Sequence, residues 1–337
     1  MKIVKTLALP LGIPPARFDV DKDGVNASLL GRWINCREKA RLHLLGWTPR
    51  RMSAGRIYGT IVHGVQENIY SDIQSGELET LPSNKRVKIE IAKQEKTWRK
   101  HNPRADAETL QMLEMNCLLA EAIMPVYFKF WSRDIERIDW IALEHTFKVP
   151  IANTHLIGRM DGNFLPLQKL KSKKRWLFET KTKSRLGESG ETNLVDIMPY
   201  ELQTNLYLGA MTVMYKEMPA GLLLNIVRRP NFKGKKGEAP EALAKRIALD
   251  VLKRPDYYFI RLRMSVDQRD LARVQREHVA LVTDFVSWAK GIGAHYRNSD
   301  HCENKYGTCE FLRVCSRQDF GGLYQRNPRI RKEEDEA

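Results

Sequence analysis

The sequence predicts an α/β protein, a mixed sheet flanked by helices, and three observations carry that reading. The early part of the chain shows helical periodicity without strand composition. Three strand-like runs then follow closely: residues 140–150 (WIALEHTFKVP), 155–164 (HLIGRMDGNF) and 175–181 (RWLFETK). After them, helical and strand-like stretches follow one another again to about residue 290.

Taken in order, residues 1–24 hold three prolines and no periodicity, and read as an irregular lead-in. Helical spacing runs over 25–45, with Leu29, Leu30, Trp33 and Ile34 apolar. A second helix, about 55–70, carries His63. Residues 72–137 are highly charged, and Pro82-Ser83 and Asn102-Pro103 divide them into helices over 84–100 and 105–132. Beyond the three strand runs, 201–215 reads as a helix and 221–228 and 257–264 as strands. Residues 265–290 are helical by the spacing of Leu271, Val274, Leu281, Phe285 and Trp288. Residues 321–337 have no apolar pattern and read as a mobile tail, leaving 25–320 as one domain with a helical insertion at about 72–138.

With 56 Lys and Arg against 41 Asp and Glu, the net charge of the 337 residues is +15, which points to a polyanionic partner. No run of eighteen apolar residues occurs, and the proline-broken start is a poor secretory signal. The expectation is a soluble, intracellular, cytoplasmic protein with no membrane partner. Without a Walker-type phosphate loop, ATP-driven work is not expected.

The chemistry concentrates around Glu179 and Lys181. On a strand, residues i and i+2 share a face, so these two project together while Thr180 faces away. Alone, such a pair reads as a surface ion pair. Asp161 changes that: a hairpin over 155–181 brings it beside Glu179, and two close carboxylates repel unless a cation lies between them. Mg²⁺ or Mn²⁺ would satisfy both, and such ions activate water for attack on a phosphodiester. Gly158 and Gly162 flank Asp161, where backbone could pass close to a ligand. His63 is the candidate third ligand, and Gln203 and Tyr207 lie four apart on one helical face.

The series Gly59-x-x-x-His63, Gly158-x-x-Asp161, Glu179-x-Lys181 and Gln203-x-x-x-Tyr207 resembles, in order and content, the PD-(D/E)XK nuclease superfamily. The branch it is similar to is the RecB-like one, which includes CRISPR-associated and phage RecB-type exonucleases. The resemblance spans about residues 30–316 and implies a restriction-endonuclease-like core. It also implies that His63, Asp161 and Glu179, with the Thr180 carbonyl, bind the metal ion. Lys181 would be the catalytic lysine, and Gln203 and Tyr207 would steady the substrate or the site. The long helical segment before the first strand is not specified by these motifs.

Five cysteines are too few and too uneven for a disulfide framework. Cys302, Cys309 and Cys315 cluster late, with Cys36 as a distant fourth, and four thiolates permit zinc or an iron–sulfur cluster. The resemblance implies the second, a 4Fe-4S centre forming a cysteine-ligated C-terminal cap. Cys117 reads as an apolar filler.

Basic runs at 169–175 (KLKSKKR) and 228–236 (RRPNFKGKK) adjoin the site strands and could meet phosphates. Trp131, Trp140 and Tyr306 could stack on unpaired bases. The expected activity is metal-dependent DNA hydrolysis, exonucleolytic on DNA that is single-stranded or has free ends, alone or within a replication, recombination, repair or spacer-acquisition assembly. The alternatives are a nuclease-fold DNA-binding or scaffold subunit without essential chemistry, and an RNA-directed nuclease.

Overall fold

The computed structural model describes residues 12–13, 17–167, 174–184, 190–232, 234–304 and 307–325. In chain order the helices and strands are α1 (Val20–Asp23), α2 (Ala27–Asn35), α3 (Arg37–Leu44), β1 (Trp47–Pro49), α4 (Ala54–Ser75), α5 (Asn84–His101) and α6 (Ala107–Phe130). Next come α7 (Asp134–Arg137), β2 (Ile138–Ile151), β3 (Thr154–Pro166), β4 (Trp176–Lys183), α8 (Gly190–Ile197), α9 (Leu202–Tyr215) and β5 (Gly221–Arg228). The remainder is α10 (Pro240–Lys253), α11 (Pro255–Tyr258), β6 (Phe259–Ser265), α12 (Gln268–Ala289), β7 (Glu303–Asn304), β8 (Gly307–Thr308), α13 (Leu312–Arg317) and β9 (Leu323–Gln325). The α/β class expected from the sequence is the one observed: a five-stranded mixed sheet flanked by helices, in the order β2-β3-β4-β5-β6.

The chain forms two compact units. The larger comprises residues 51–146 and 159–268; the other comprises 1–50, 147–158 and 269–337. In the larger unit β3 and β4 are antiparallel, β4 and β5 parallel, and β5 and β6 antiparallel. A parallel pair needs a crossover, and α9 lies within the one joining β4 to β5. Its core takes Ile57, Val62, Val65 and Ile69 from α4, Ala120 and Ile123 from α6, and Phe178 from β4. Each of the Ile, Val and Phe side chains contributes about 1.5–3 kcal/mol when fully buried. Gly59 lets α4 come close to β4, since a Cβ there would lie 3.0 Å from the Thr182 hydroxyl. One helical turn later stands His63.

Behind β4 a polar network is buried in this core. The Arg261 guanidinium binds Asp134 twice, at 2.6 and 2.7 Å, and donates to the Tyr70 and Tyr127 hydroxyls at 3.1 Å each. Its Nε donates to Asn225 Oδ1 at 3.0 Å, and Asn225 Nδ2 donates to the Thr180 hydroxyl at 3.1 Å.

In the smaller unit, Leu42, Phe311, Val314 and Leu323 form a compact cluster with Trp47 and Cys309 beside it. Three sequence expectations need correction here. The helix expected over 25–45 is two helices, because Cys36 is extended (φ −164°, ψ 120°) and separates α2 from α3. The lead-in contains α1, capped by the Asp19 side chain and burying Val20. The tail expected from 321 onward begins with β9, which pairs antiparallel with β1 and buries Leu323; residues 326–337 lie outside the described set. Among the described residues, no helix is long and apolar enough to cross a membrane.

Breaking the Arg261–Asp134 pair strands a buried charge. Arg261→Met is expected to lower unfolding free energy by about 3–5 kcal/mol. Urea denaturation against the parent protein measures it, and a loss under 1 kcal/mol would show that the network does not hold the core.

Candidate metal-binding site

The β3–β4 ladder pairs Gly162 with Phe178, and the next residues toward the site are Asp161 and Glu179. Directly opposite residues share a face, so the two carboxylates stand side by side. Asp161 Oδ2 accepts the Thr180 backbone N–H at 2.6 Å, and Asp161 Oδ1 lies 3.2 Å from His63 Nδ1. Lys181 Nζ is 2.7 Å from Glu179 Oε1. Gln203 joins both: its Nε2 donates to Glu179 Oε1 at 3.0 Å, and its Oε1 accepts from Lys181 at 3.1 Å. Tyr207, one turn further along α9, is buried and senses the charges of Glu179 and Asp161. All six side chains singled out from the motifs therefore belong to one neighbourhood in the larger unit.

Glu144 was not anticipated. Ligand atoms of His63, Glu144 and Asp161 all lie within 4.8 Å of one another. Glu144 interrupts β2 with a φ of 42°, in the left-handed region that costs a non-glycine residue about 1 kcal/mol or more. Arg159 Nε pairs with it at 2.8 Å, although the Arg159 side chain is mostly exposed.

Burial and mutual repulsion set the protonation of this group. Burial, then the Asp161 charge, pushes Glu144 up to about 7. The same two causes raise Glu179 despite Lys181 beside it. Burial opposes the ionised form of Asp161, but His63 and the Thr180 N–H outweigh it and hold the carboxyl below its usual value. Burial likewise works against a charged His63, yet Asp161 and the nearby glutamates raise it to about 9. Tyr207 is pushed up to about 12, mainly by burial, and stays neutral.

The donor set is one imidazole and several carboxylates, which suits a hard divalent cation. Glu179 Oε2 is buried and has no hydrogen-bond partner. An orphaned carboxylate oxygen in a buried position is costly, and a cation would satisfy it.

Family models and curated proteins give no match to this chain. Solved structures that match include a protein from Eubacterium rectale crystallised under the name "Putative exonuclease". It is 12% identical, with 82% of this chain and 85% of that one covered and a TM-score of 0.46. So distant a superposition carries no argument about chemistry, which rests on the side chains above.

In the smaller unit, Asn298 ties two of the cysteines together. Its backbone N–H points to Cys36 Sγ at 3.4 Å, and its carbonyl lies 3.9 Å from Cys302 Sγ. The Cys309 N–H donates to the Cys302 carbonyl at 2.8 Å. Burial raises the Cys309 and Cys315 thiols, with smaller contributions from Cys302 on the first and from Cys36 and Cys309 on the second. Yet no three of these sulfurs approach within 4.8 Å of one another. Cys117 belongs to the larger unit's core, where burial pushes its thiol up to about 12.

Three other expectations change. Trp140 packs in the core on Tyr70 and Phe178, and Trp131 is covered by the Arg261 guanidinium 4.1 Å from its ring centre. Gly162 makes room for Trp140 and Leu143, whose atoms would lie 3.1 and 3.2 Å from a Cβ, rather than for a ligand. Residues 168–173, 233 and Tyr306 lie outside the described set, so much of the first basic run does too.

The protonation pattern predicts how the ion-free protein responds to pH. Glu144 takes up protons on folding, so its contribution is lost as pH rises from the ordinary 4.5 through about 7. His63 contributes fully below 6.5 and loses that contribution as pH rises through about 9. In EDTA the melting temperature should therefore fall between pH 5 and 9, and Glu144→Gln should flatten the lower part of that fall. A parent curve with the same slope as Glu144→Gln between pH 5 and 7 would contradict the assignment.

Proposed function

We propose that this chain is a metal-dependent deoxyribonuclease, acting as an exonuclease on DNA with free ends. The observation that carries the reading is the facing pair Asp161 and Glu179, with the orphaned Glu179 Oε2, a histidine at one side and a clamped lysine at the other. Mg²⁺ or Mn²⁺ would be held by His63, Asp161 and Glu179, with the Thr180 carbonyl and Glu144 completing the set. When bound, the ion supplies Lewis acidity that lowers the pKa of water and offsets charge on the phosphate.

The chain's own groups do the rest. Glu179 and Gln203 fix the Lys181 ammonium in one orientation. Glu179, assisted by Glu201, raises the Lys181 pKa against the effect of burial, so the cation persists and can stabilise charge developing on the phosphate. Tyr207 remains a neutral hydroxyl able to donate to a phosphate oxygen. The +15 net charge supports a nucleic-acid substrate.

In the same proposal Cys36, Cys302, Cys309 and Cys315 hold a 4Fe-4S cluster. Four thiolates, one early in the chain and three late, are the donor set such a cluster takes.

End-labelled single- and double-stranded DNA with Mg²⁺ or Mn²⁺ tests the activity. Glu179→Ala and Lys181→Ala should each reduce cleavage by at least about 10³-fold, since both act on the reacting phosphate. DNA affinity in EDTA should change by less than about threefold, because it rests on backbone-contacting cations. Parallel loss of both in a folded variant, or no cleavage by the parent, would favour a DNA-binding subunit; cleavage of RNA alone would redirect the substrate.

Anaerobically purified protein should be brown, with about four irons per chain. Stoichiometric zinc without iron would overturn the cluster.

A further inference from the structure

Strands β4 and β5 run parallel, with Lys183 paired to Arg228, and beyond their ends opens a cleft of about 350 Å³. Four arginines line it: Arg228, Arg229, Arg246 and Arg254. Two of them are neutralised locally. Arg246 binds Glu238 through Nε and Nη2 at 3.0 and 2.8 Å, and Arg254 binds Asp250 at 2.7–3.0 Å.

The other two differ. Arg229 donates from Nε to the neutral Asn116 Oδ1 at 2.9 Å, and burial lowers its pKa without any carboxylate to oppose that. Arg228 lies over the Tyr257 ring, 4.3 Å from its centre, and its buried Nε has no hydrogen-bond partner. Among the described residues no carboxylate lines the cleft. Half-buried guanidinium groups without a counter-charge are costly, and an anion with paired oxygens resolves the cost by bidentate hydrogen bonding.

The geometry points to this cleft as a binding site for the terminal phosphate monoester of a nucleic-acid strand. Two uncompensated cations match the two charges of a monoester better than the single charge of an internal phosphodiester. The volume suits a phosphate with part of its sugar. Ser184, which lines the cleft, is three residues beyond Lys181, about 10 Å along an extended strand. An anchored end would therefore lie within a few nucleotides of the proposed cleavage site. The inference rests on the nuclease reading for its meaning, but its test does not need cleavage.

Fluorescent oligonucleotides of one sequence, with 5′-phosphate, 3′-phosphate or hydroxyl ends, are titrated in EDTA with the full chain. One phosphorylated end should bind about tenfold more tightly than hydroxyl ends. Inorganic phosphate should compete away that advantage alone. Arg228→Gln should bring the ratio to about one, by weakening phosphate-ended binding far more than hydroxyl-ended binding. Arg228→Lys, which keeps the charge but loses the fork, should give an intermediate ratio and separates recognition from misfolding when melting temperatures are matched. Equal binding of phosphate and hydroxyl ends by the parent would overturn the assignment, as would an advantage that survives in folded Arg228→Gln. Both results are independent of whether Mg²⁺ or Mn²⁺ supports cleavage.

Discussion

Thr180 is held from both sides, and the candidate site depends on that. Its backbone N–H is bound by Asp161, and its hydroxyl accepts from Asn225, which Arg261 and Tyr127 hold in turn. The neighbours Glu179 and Lys181 project to the opposite face from the Thr180 side chain because strand geometry alternates. A shift of β4 by one residue would turn both away from Asp161. The buried Arg261–Asp134 pair is an expensive way to make a core if stability alone is considered. Here it also helps to hold the register of the strand that carries Glu179 and Lys181.

That arrangement explains why the site is electrostatically tense without an ion. Asp161 keeps its charge through His63 and the Thr180 N–H, and thereby makes ionisation harder for Glu144 and Glu179. Of the three, Asp161 alone is held below its usual value, while Lys181 only partly offsets the burial of Glu179. Arg159 provides partial relief from an exposed position, where solvent weakens it.

Much of this was legible in the sequence, for identifiable reasons. The three strand runs and the β5 strand are rich in apolar residues between turn-like segments, and the motif carboxylates fall within β3 and β4. The facing of Asp161 and Glu179 followed from a short hairpin. Glu144 was invisible because it sits among other polar residues in a strand, and nothing in WIALEHTFK announces a left-handed backbone turn. Nothing local marks Arg261 as buried, since burial of its charge depends on Asp134 and two tyrosines far away in sequence. Helix α10 was missed although Leu243, Ile247 and Val251 repeat at helical spacing after Pro240. The break at Cys36 has no proline or glycine to mark it. Sequence periodicity continues smoothly across a residue that the backbone makes extended.

The division of the chain also sets the order in which it can fold during synthesis. The larger unit has all of its residues once position 268 has left the ribosome. The smaller one draws on three separated segments, and β1 waits for β9, nearly 280 residues later. Its long-range closure is slow by loop entropy and comes last. During that interval the early cysteine at position 36 is synthesised and exposed while its three distant counterparts do not yet exist. Assembly of anything they share therefore waits for residue 315, after the larger unit already has all of its residues.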